Sequence, residues 1–320
     1  MINLRYHIVS LVAVFLALAI GVVVGSTALK EGTVSVLRAT SNRLISESQA
    51  ERAKNKALEG EVAGYKEFGG AMLPRLLRDR LRGQAVVLLD TDRVDDQTRK
   101  PVQDAIQAAN GTVEGRVTFA SDRLGLGAAG DRSALGALLG SDQTDPNALR
   151  QELVARLAER LTSPARLPKG GAATTTRDVI TGLQQAKFLA DLRLADKSYQ
   201  DGTVPFPRPG SVFVIIGPTD NPALLDPKVF LVPLAQRLAG RGDVPVVGVE
   251  ASAPGAPSWV EVLRDDQGVT DRVSTVDDVD RVPGQFALVE AVARRLRGEP
   301  TGQYGFKRGA TGLLPEGVAA

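Results

Sequence analysis

The side chains able to do chemistry in this chain are mostly carboxylates, and they come in two groups. Asp90, Asp92, Asp95 and Asp96 form the first, and Asp277, Asp278 and Asp280 the second. Clustered carboxylates can hold a cation, and oxygen ligands suit Ca²⁺, Mg²⁺ or Mn²⁺ better than copper. Asp90, Asp92, Asp277 and Asp278 are therefore the candidate metal residues. Each group also has a plainer reading. The first could cap a helix and complement its dipole, and the second could be a solvated turn. Softer ligands are nearly missing. The chain has no cysteine, a single histidine (His7) and two methionines, Met1 and Met72. Without cysteine there is no disulfide, thiolate site or cysteine nucleophile. His7 lies ahead of a long apolar segment, so the rest of the chain cannot assemble a Ser-His-Asp triad. No nucleophile–base pair can be named, and neither a catalytic residue nor a resident cofactor is expected.

Two further signals point nowhere specific. Gly125, Gly127 and Gly130 spell G-x-G-x-x-G. That pattern carries meaning only in the turn between a first strand and its helix. Here the first expected strand ends in Asp90-Thr91-Asp92, with no glycine close by. Lys+Arg number 39 against 37 Asp+Glu, and aromatics are 4%. The charges are near balance and form no basic patch, the aromatics are too few for base-stacking platforms, and no nucleic-acid partner is expected.

The elements that position these residues begin with Ile8 to Leu29, a run without a charge. A helix needs about 20 apolar residues to cross the hydrocarbon core. Ser26-Thr27-Ala28 resembles a signal-cleavage box, but a signal core is usually about 7–15 residues. This run is longer and the helical pattern continues past it, so an uncleaved single-pass anchor in the plasma (inner) membrane is expected. Arg5 and the amino terminus place the N-terminus in the cytoplasm and the remaining mass outside it. Ala17, Gly21 and Gly25 fall four apart, a spacing that lets two membrane helices approach closely. A single helix cannot enclose a pore, and no strand set of the outer-membrane barrel type is visible.

From Lys30 to about Phe68 the chain is polar and free of proline. A heptad frame places Val34, Leu37, Leu44, Leu58, Val62 and Tyr65 on one seam, with Ser41, Ser48, Glu51 and Asn55 between them. The reading is a coiled-coil stalk with a polar middle, pairing the chain as a homodimer or higher oligomer. The small-residue stripe is expected to pair the same two chains, and Gly69-Gly70 to end the stalk.

Beyond it the pattern alternates between strands and helices. Leu73–Leu81 reads as a short helix, Gln84–Leu89 as a buried parallel strand, Val94–Asn110 as a helix capped by Gly111, and Thr112–Phe119 as a strand. Gly125–Asp145 reads as loop or short helices and Asn147–Thr162 as an amphipathic helix. A breaker-rich linker follows over Pro164–Thr176, then a helix over Arg177–Leu194 and a break over Pro205–Gly210. Ser211–Ile216 and Val244–Val249 read as strands, and Pro227–Ala239 and Trp259–Leu263 as helices. Val273–Val276 is the last expected strand, and Pro283–Arg297 the last helix. The fold class is thus α/β: a transmembrane helix and coiled-coil stalk followed by a doubly wound, mostly parallel-sheet domain. The expected divisions are 1–29, 30–69, 70–298 and an irregular tail, 299–320.

Three stretches carry a resemblance. MINLRYHIVSLVAVFLALAIGVVVGS at the start, STVDDVDRVPGQFALVEAVARRLRGE late in the chain and the closing GQYGFKRGATGLLP resemble the actinobacterial copper transporter family named after mycobacterial copper transport protein B. The order of anchor, stalk, α/β domain and Gly-Tyr-Gly tail fits that family over the whole chain. The resemblance implies a role in copper homeostasis, as efflux across the cell envelope, with copper as the transported or sensed ion. Relatives often read Gly-His-Tyr-Gly in the tail, where this chain has Gln303. Copper(I) prefers Cys and Met, and copper(II) prefers imidazole. Met72 is the one such residue after the stalk, so the ligand content does not support direct copper binding. The alternative is a bitopic envelope scaffold. Related proteins of this architecture are linked to cell separation through partners that control peptidoglycan hydrolases.

Overall fold

The computed structural model describes residues 4–168, 178–218, 225–241, 244–252 and 258–316, with the side chains of residues 4 and 26–35 left aside. The chain divides into two compact units, Met1–Tyr65 and Lys66–Ala320.

The first helix, α1, runs over Leu4–Leu77. Within it Arg5–Gly25 is long and apolar enough to cross a membrane, with mean hydropathy 2.9 and none of it buried. Ala17 and Gly21 are exposed and Gly25 is half-buried, and nothing packs within 4 Å of where a Cβ on either glycine would stand. Leu37, Leu44, Leu58, Val62 and Tyr65 are also exposed, whereas Val34 lies outside the described side chains. The unbroken helix corrects one expectation. An α-helix turns about 100° per residue, so Gly21 stands about 160° round the axis from Leu37. The small-residue stripe and the stalk seam therefore lie on opposite faces and cannot meet the same partner helix.

Gly69-Gly70 does not end the helix. Gly69 instead leaves room for a neighbour: a Cβ there would lie 3.1 Å from a Val282 methyl. Leu73 and Leu77 belong to the last turns of α1 rather than to a separate helix, and both are buried.

The second unit is built on a seven-stranded sheet. In chain order its elements are β1 (Ala85–Thr91), α2 (Asp96–Ala108), β2 (Thr112–Phe119), α3 (Ser121–Leu124), α4 (Ala129–Leu139), α5 (Pro146–Thr162), β3 (Ala165–Arg166) and α6 (Val179–Gln185). Then come β4 (Leu189–Leu194), α7 (Lys197–Gln200), β5 (Pro205–Phe206), β6 (Val212–Ile216), α8 (Leu231–Ala239), β7 (Val246–Val249) and α9 (Trp259–Arg264). The last are α10 (Gln267–Thr270), β8 (Val273–Val276), α11 (Val282–Leu296) and β9 (Gln303–Tyr304). The sheet order is β4-β2-β1-β6-β7-β8-β9, parallel throughout except that β4 runs antiparallel to β2.

Alternation along the strands sends side chains to two cores. Val87 and Leu89 of β1 join a cluster with α4, α5, α6, α8 and α9. Val86 and Leu88 join another with α2, α11 and the end of α1. Helices on both faces make the domain doubly wound, and continuous apolar runs such as Ala-Val-Val-Leu-Leu are what two covered faces require.

Several boundaries differ from the sequence reading. Arg177 lies outside the described residues, and the expected helix from it to Leu194 is helix α6 followed by strand β4. Lys187, at φ +60°, makes the turn between them. The C-cap of α2 is Ala109, and the left-handed residue that closes the helix is Asn110 (φ +58°), one residue before Gly111. Of the stretch 125–145, read as loop or short helices, eleven residues form the helix α4. The linker expected over 164–176 begins with β3, which pairs with β5 from the expected break at 205–210; residues 169–176 are not described. The tail is not irregular throughout: Gln303 and Tyr304 extend the sheet in register with Thr275 and Val276.

Gly217, just past β6, sits under the Trp259 indole, which donates from Nε1 to the Val249 carbonyl at 3.0 Å. A Cβ on Gly217 would fall 1.7 Å from the ring. Gly217→Ala should therefore destabilise the domain by about 3 kcal/mol, read as a drop in the urea midpoint at unchanged slope.

Candidate functional site

Open parallel sheets bind ligands beyond the carboxyl ends of their strands. Both carboxylate groups lie there, but not together. Asp90 is the penultimate residue of β1 and Asp277 follows β8, with β6 and β7 between them. Three strand spacings separate them by about 14 Å.

The first group is occupied by the fold. Asp90 is fully buried, and its Oδ2 accepts from Arg99 Nε at 2.6 Å. Arg99 also donates to Asp96 at 2.6 Å and to the Val94 carbonyl at 2.6 Å. Burial raises the Asp90 carboxyl above its ordinary range, against the pull of Arg99. Asp95 caps α2 by accepting from the Thr98 N–H at 2.8 Å. Asp92 accepts from the Ser121 N–H at 3.1 Å, tying β1 to α3. Of the plainer reading, capping and dipole complement, Asp95 does the first and Asp96 stands in the first turn of α2, whereas Asp90 is held by an ion pair to Arg99 and Asp92 by a backbone N–H.

The second group anchors the chain's closing segment. Asp277 accepts from the backbone N–H groups of Phe306 (2.7 Å) and Lys307 (3.1 Å), and from Arg264 Nη1 at 2.9 Å. Gly305, at φ +126°, lets the backbone pass against that carboxylate. A Cβ there would fall 2.1 Å from an Asp277 oxygen. Arg264 donates further to Thr275 Oγ1 (2.8 Å), the Tyr304 carbonyl (2.8 Å) and the Lys307 and Arg308 carbonyls (both 3.3 Å). The Arg264 and Asp277 side chains are each 1% exposed. Gln303 is also built in. Its Oε1 accepts from Thr275 Oγ1 at 2.5 Å and its Nε2 donates to the Val273 carbonyl at 3.2 Å.

Glu250, which follows β7, takes Lys307 Nζ at 2.7 Å, the Ser258 hydroxyl and the Val260 N–H at 3.3 Å. Sequence reasoning passed over it, although Glu250 ends an apolar strand just as Asp90 does. Another buried carboxylate, Glu114 at the start of β2, takes the Tyr199 hydroxyl (3.1 Å), the Arg208 guanidinium (3.2 Å) and backbone, and the Ser211 hydroxyl. Nothing in its sequence surroundings marks Glu114, because its partners lie more than 80 residues away.

Asp278 differs from all of these. It is 1% exposed, and neither carboxyl oxygen has a hydrogen-bond partner among the described residues. Its backbone is left-handed at φ +62°. Gly284 packs against it so closely that a Cβ there would lie 2.2 Å from its carbonyl oxygen. Burial, then the neighbouring Asp277 and Asp280, push its pKa to about 7. Asp280 turns away to accept from the Ser252 N–H at 2.6 Å.

Among the described residues no set of three His, Cys, Asp or Glu side chains is placed to hold a metal ion. The G-x-G-x-x-G stretch follows α3 rather than a strand. Its carbonyls at Gly125 and Gly127 accept from Arg150 and Arg132, so it presents acceptors to cations instead of N–H groups to a phosphate.

Two outcomes test this description. Arg264→Leu leaves Asp277 buried without its cation and should cost about 3–5 kcal/mol in urea unfolding, partly recovered in the Arg264→Leu/Asp277→Leu pair. For Asp278 the folded protein holds the proton more tightly than the unfolded chain. Its contribution to stability is full below about pH 4 and falls as pH rises to about 7. Relative to the parent, Asp278→Asn should therefore gain stability between pH 4 and 7 and level off above. The gain is on the order of 3 kcal/mol across that window, read from urea midpoints at pH 4.5 and 8.

Comparison with known proteins fits this arrangement end to end. The family described as "Copper transport outer membrane protein, MctB" matches residues 1–315. A protein of Mycobacterium leprae named "Copper transporter MctB" is 29% identical over 322 residues, covering 98% of this chain and 99% of its own. Proteins of the same name from Mycobacterium bovis and Mycobacterium tuberculosis are each 27% identical, covering 97% of this chain and 98% of their own. These relatives are named as transporters and not as enzymes, and nothing in their names supports the scaffold reading. With the match running through anchor helix, sheet and closing tail alike, the chain belongs to the MctB family.

Proposed function

We propose that this protein takes part in copper transport across the cell envelope as a single-pass protein of the plasma membrane. In this reading Arg5–Gly25 spans the bilayer, the N-terminus is cytoplasmic and the α/β unit lies outside. The observation that carries it is the fully exposed apolar helix, in a chain whose whole length is similar to named copper transporters. An apolar helix of 21 residues with no protein packed on it is stable only where something other than water covers it. The family description speaks of an outer membrane. This chain's own candidate span is helical, and its sheet has helices on both faces, so the plasma membrane is the better match to its elements.

Copper enters this proposal as cargo. The second unit contains no Cys or His, and Met72 is its only thioether. Any direct contact with copper(I) would have to use oxygen donors that it binds poorly. The proposal is therefore that the protein supports copper movement without holding the ion tightly itself.

The experiment is a deletion strain complemented with the full chain or with a chain lacking residues 4–25. The expected outcome is raised cell copper and lowered copper tolerance on deletion, restored by the full chain only. Copper content and tolerance unchanged by deletion would overturn the transport role. Rescue by the truncated chain would overturn the need for the anchor.

A further inference from the structure

The exposed seam of α1 carries a charge pattern that identifies its occupant. In the heptad frame with Leu37, Leu44 and Leu58 at d, positions e and g flank the seam. Glu47 and Lys54 are at g, and Arg52 and Glu59 are at e. In a parallel two-stranded coiled coil each g residue faces the e residue five positions later on the other chain. That rule sets Glu47 against Arg52 and Lys54 against Glu59, opposite in sign both times. The same order continues in the sequence at Glu61 and Lys66. Asn55 is at a, the position where a single buried Asn sets register and favours two strands.

We propose that a second copy of this chain occupies the seam, as a parallel, in-register dimer over residues 34–65. The inference goes beyond the transport reading and does not depend on it, because it rests on the charge order of the seam together with Asn55 at a. It also assigns the two faces of α1 different roles. Ala17, Gly21 and Gly25 stand opposite the seam, so they do not contribute to this dimer.

Several features explain why the pairing is moderate in strength. Leu37, Leu44, Leu58, Val62 and Tyr65 supply apolar knobs, while Ser41, Ser48 and Glu51 leave the middle of the seam polar. Two Glu51 carboxylates would face each other at d, which weakens that layer. Within one chain the only charge pair described in the stalk is Arg43 Nε–Glu47 Oε1 at 2.8 Å, exposed and worth a few tenths of a kcal/mol.

The absence of cysteine makes the test direct. Ser41→Cys, Ser48→Cys and Asn55→Cys are made singly in the full chain, in membrane vesicles, and oxidised with diamide. All three should give a product of twice the mass, while Ala53→Cys, on the outer face of the heptad, should not. In the Ser48→Cys background, Lys54→Glu should lower the yield several-fold and Lys54→Glu/Glu59→Lys should restore it. Residues five apart do not face each other within one helix, so this rescue reads a contact between chains. Gly21→Leu/Gly25→Leu should leave the yield unchanged. Linking at one seam position only would mean an antiparallel or staggered pair. That result, equal linking through Ala53→Cys, no linking in a chain still helical by circular dichroism, or loss of linking in the glycine pair would each overturn the proposal.

Discussion

The pair formed by Arg264 and Asp277 sets the geometry of everything at one end of the sheet. Two opposite charges, each 1% exposed, would be costly if either stood alone. They are tolerated because all around them is polar and directed. The guanidinium reaches Thr275 on β8 and the carbonyls of Tyr304, Lys307 and Arg308, and the carboxylate takes two backbone N–H groups of the tail. A two-residue strand such as β9 has too few ladder bonds to hold itself at a sheet edge. Here the ladder is reinforced by a buried ion pair, by Gln303 against Thr275 and by Lys307 on Glu250. Conversely, the ion pair stays dry because the tail covers it. Each depends on the other.

The same logic explains where chemistry is not available. A buried carboxylate accepting three or four hydrogen bonds has at most one of its roughly four lone-pair sites left for an incoming ligand. Glu114, Glu250 and Asp277 are each in that condition. Asp278 is the exception, an unpaired buried acid in a left-handed backbone between β8 and α11. Its cost is met by what surrounds it: Gly284 gives its backbone room, and a proton near neutral pH removes its charge. Two adjacent aspartates thus do opposite things, one bound on every side and the other on none.

How much of this was legible in the sequence follows from the range of each interaction. The strands at 84–89, 211–216 and 244–249 were readable because two covered faces demand unbroken apolar runs. The helix from 283 was readable from its proline at the first turn. β4 was not, since as an edge strand with one partner it has a weak alternation and a polar sequence, Ala-Asp-Leu-Arg, that equally suits a helix. β9 was too short to have a period at all. At the candidate site, Asp90 and Asp277 stood out as acids ending apolar strands. What they bond to did not, because Arg264, Lys307 and Gly305 meet them only after the sheet forms. The glycines mislead in the same way. Gly69 looks like a stop and is a point of close packing, and Gly125–Gly130 looks like a phosphate loop and is a set of carbonyls turned toward arginines.

The apolar segment and the stalk seam of α1 are built for different kinds of packing. In lipid there is no hydrophobic force between helices, and close approach over small residues takes its place. In water the force returns, and a seam of leucines flanked by ordered charges is enough to pair two chains. A helix that carries both features in series need not aim them at one neighbour. Their relative direction is fixed by the number of residues between them at 100° each. From Gly21 to Leu37 that number gives nearly half a turn, so whatever pairs the stalk leaves the small-residue face of the apolar segment pointing outward. One residue inserted or removed in the segment between them would rotate that face by about 100° without touching either surface. The spacing is therefore itself a structural parameter of this chain, set by length and not by side-chain chemistry.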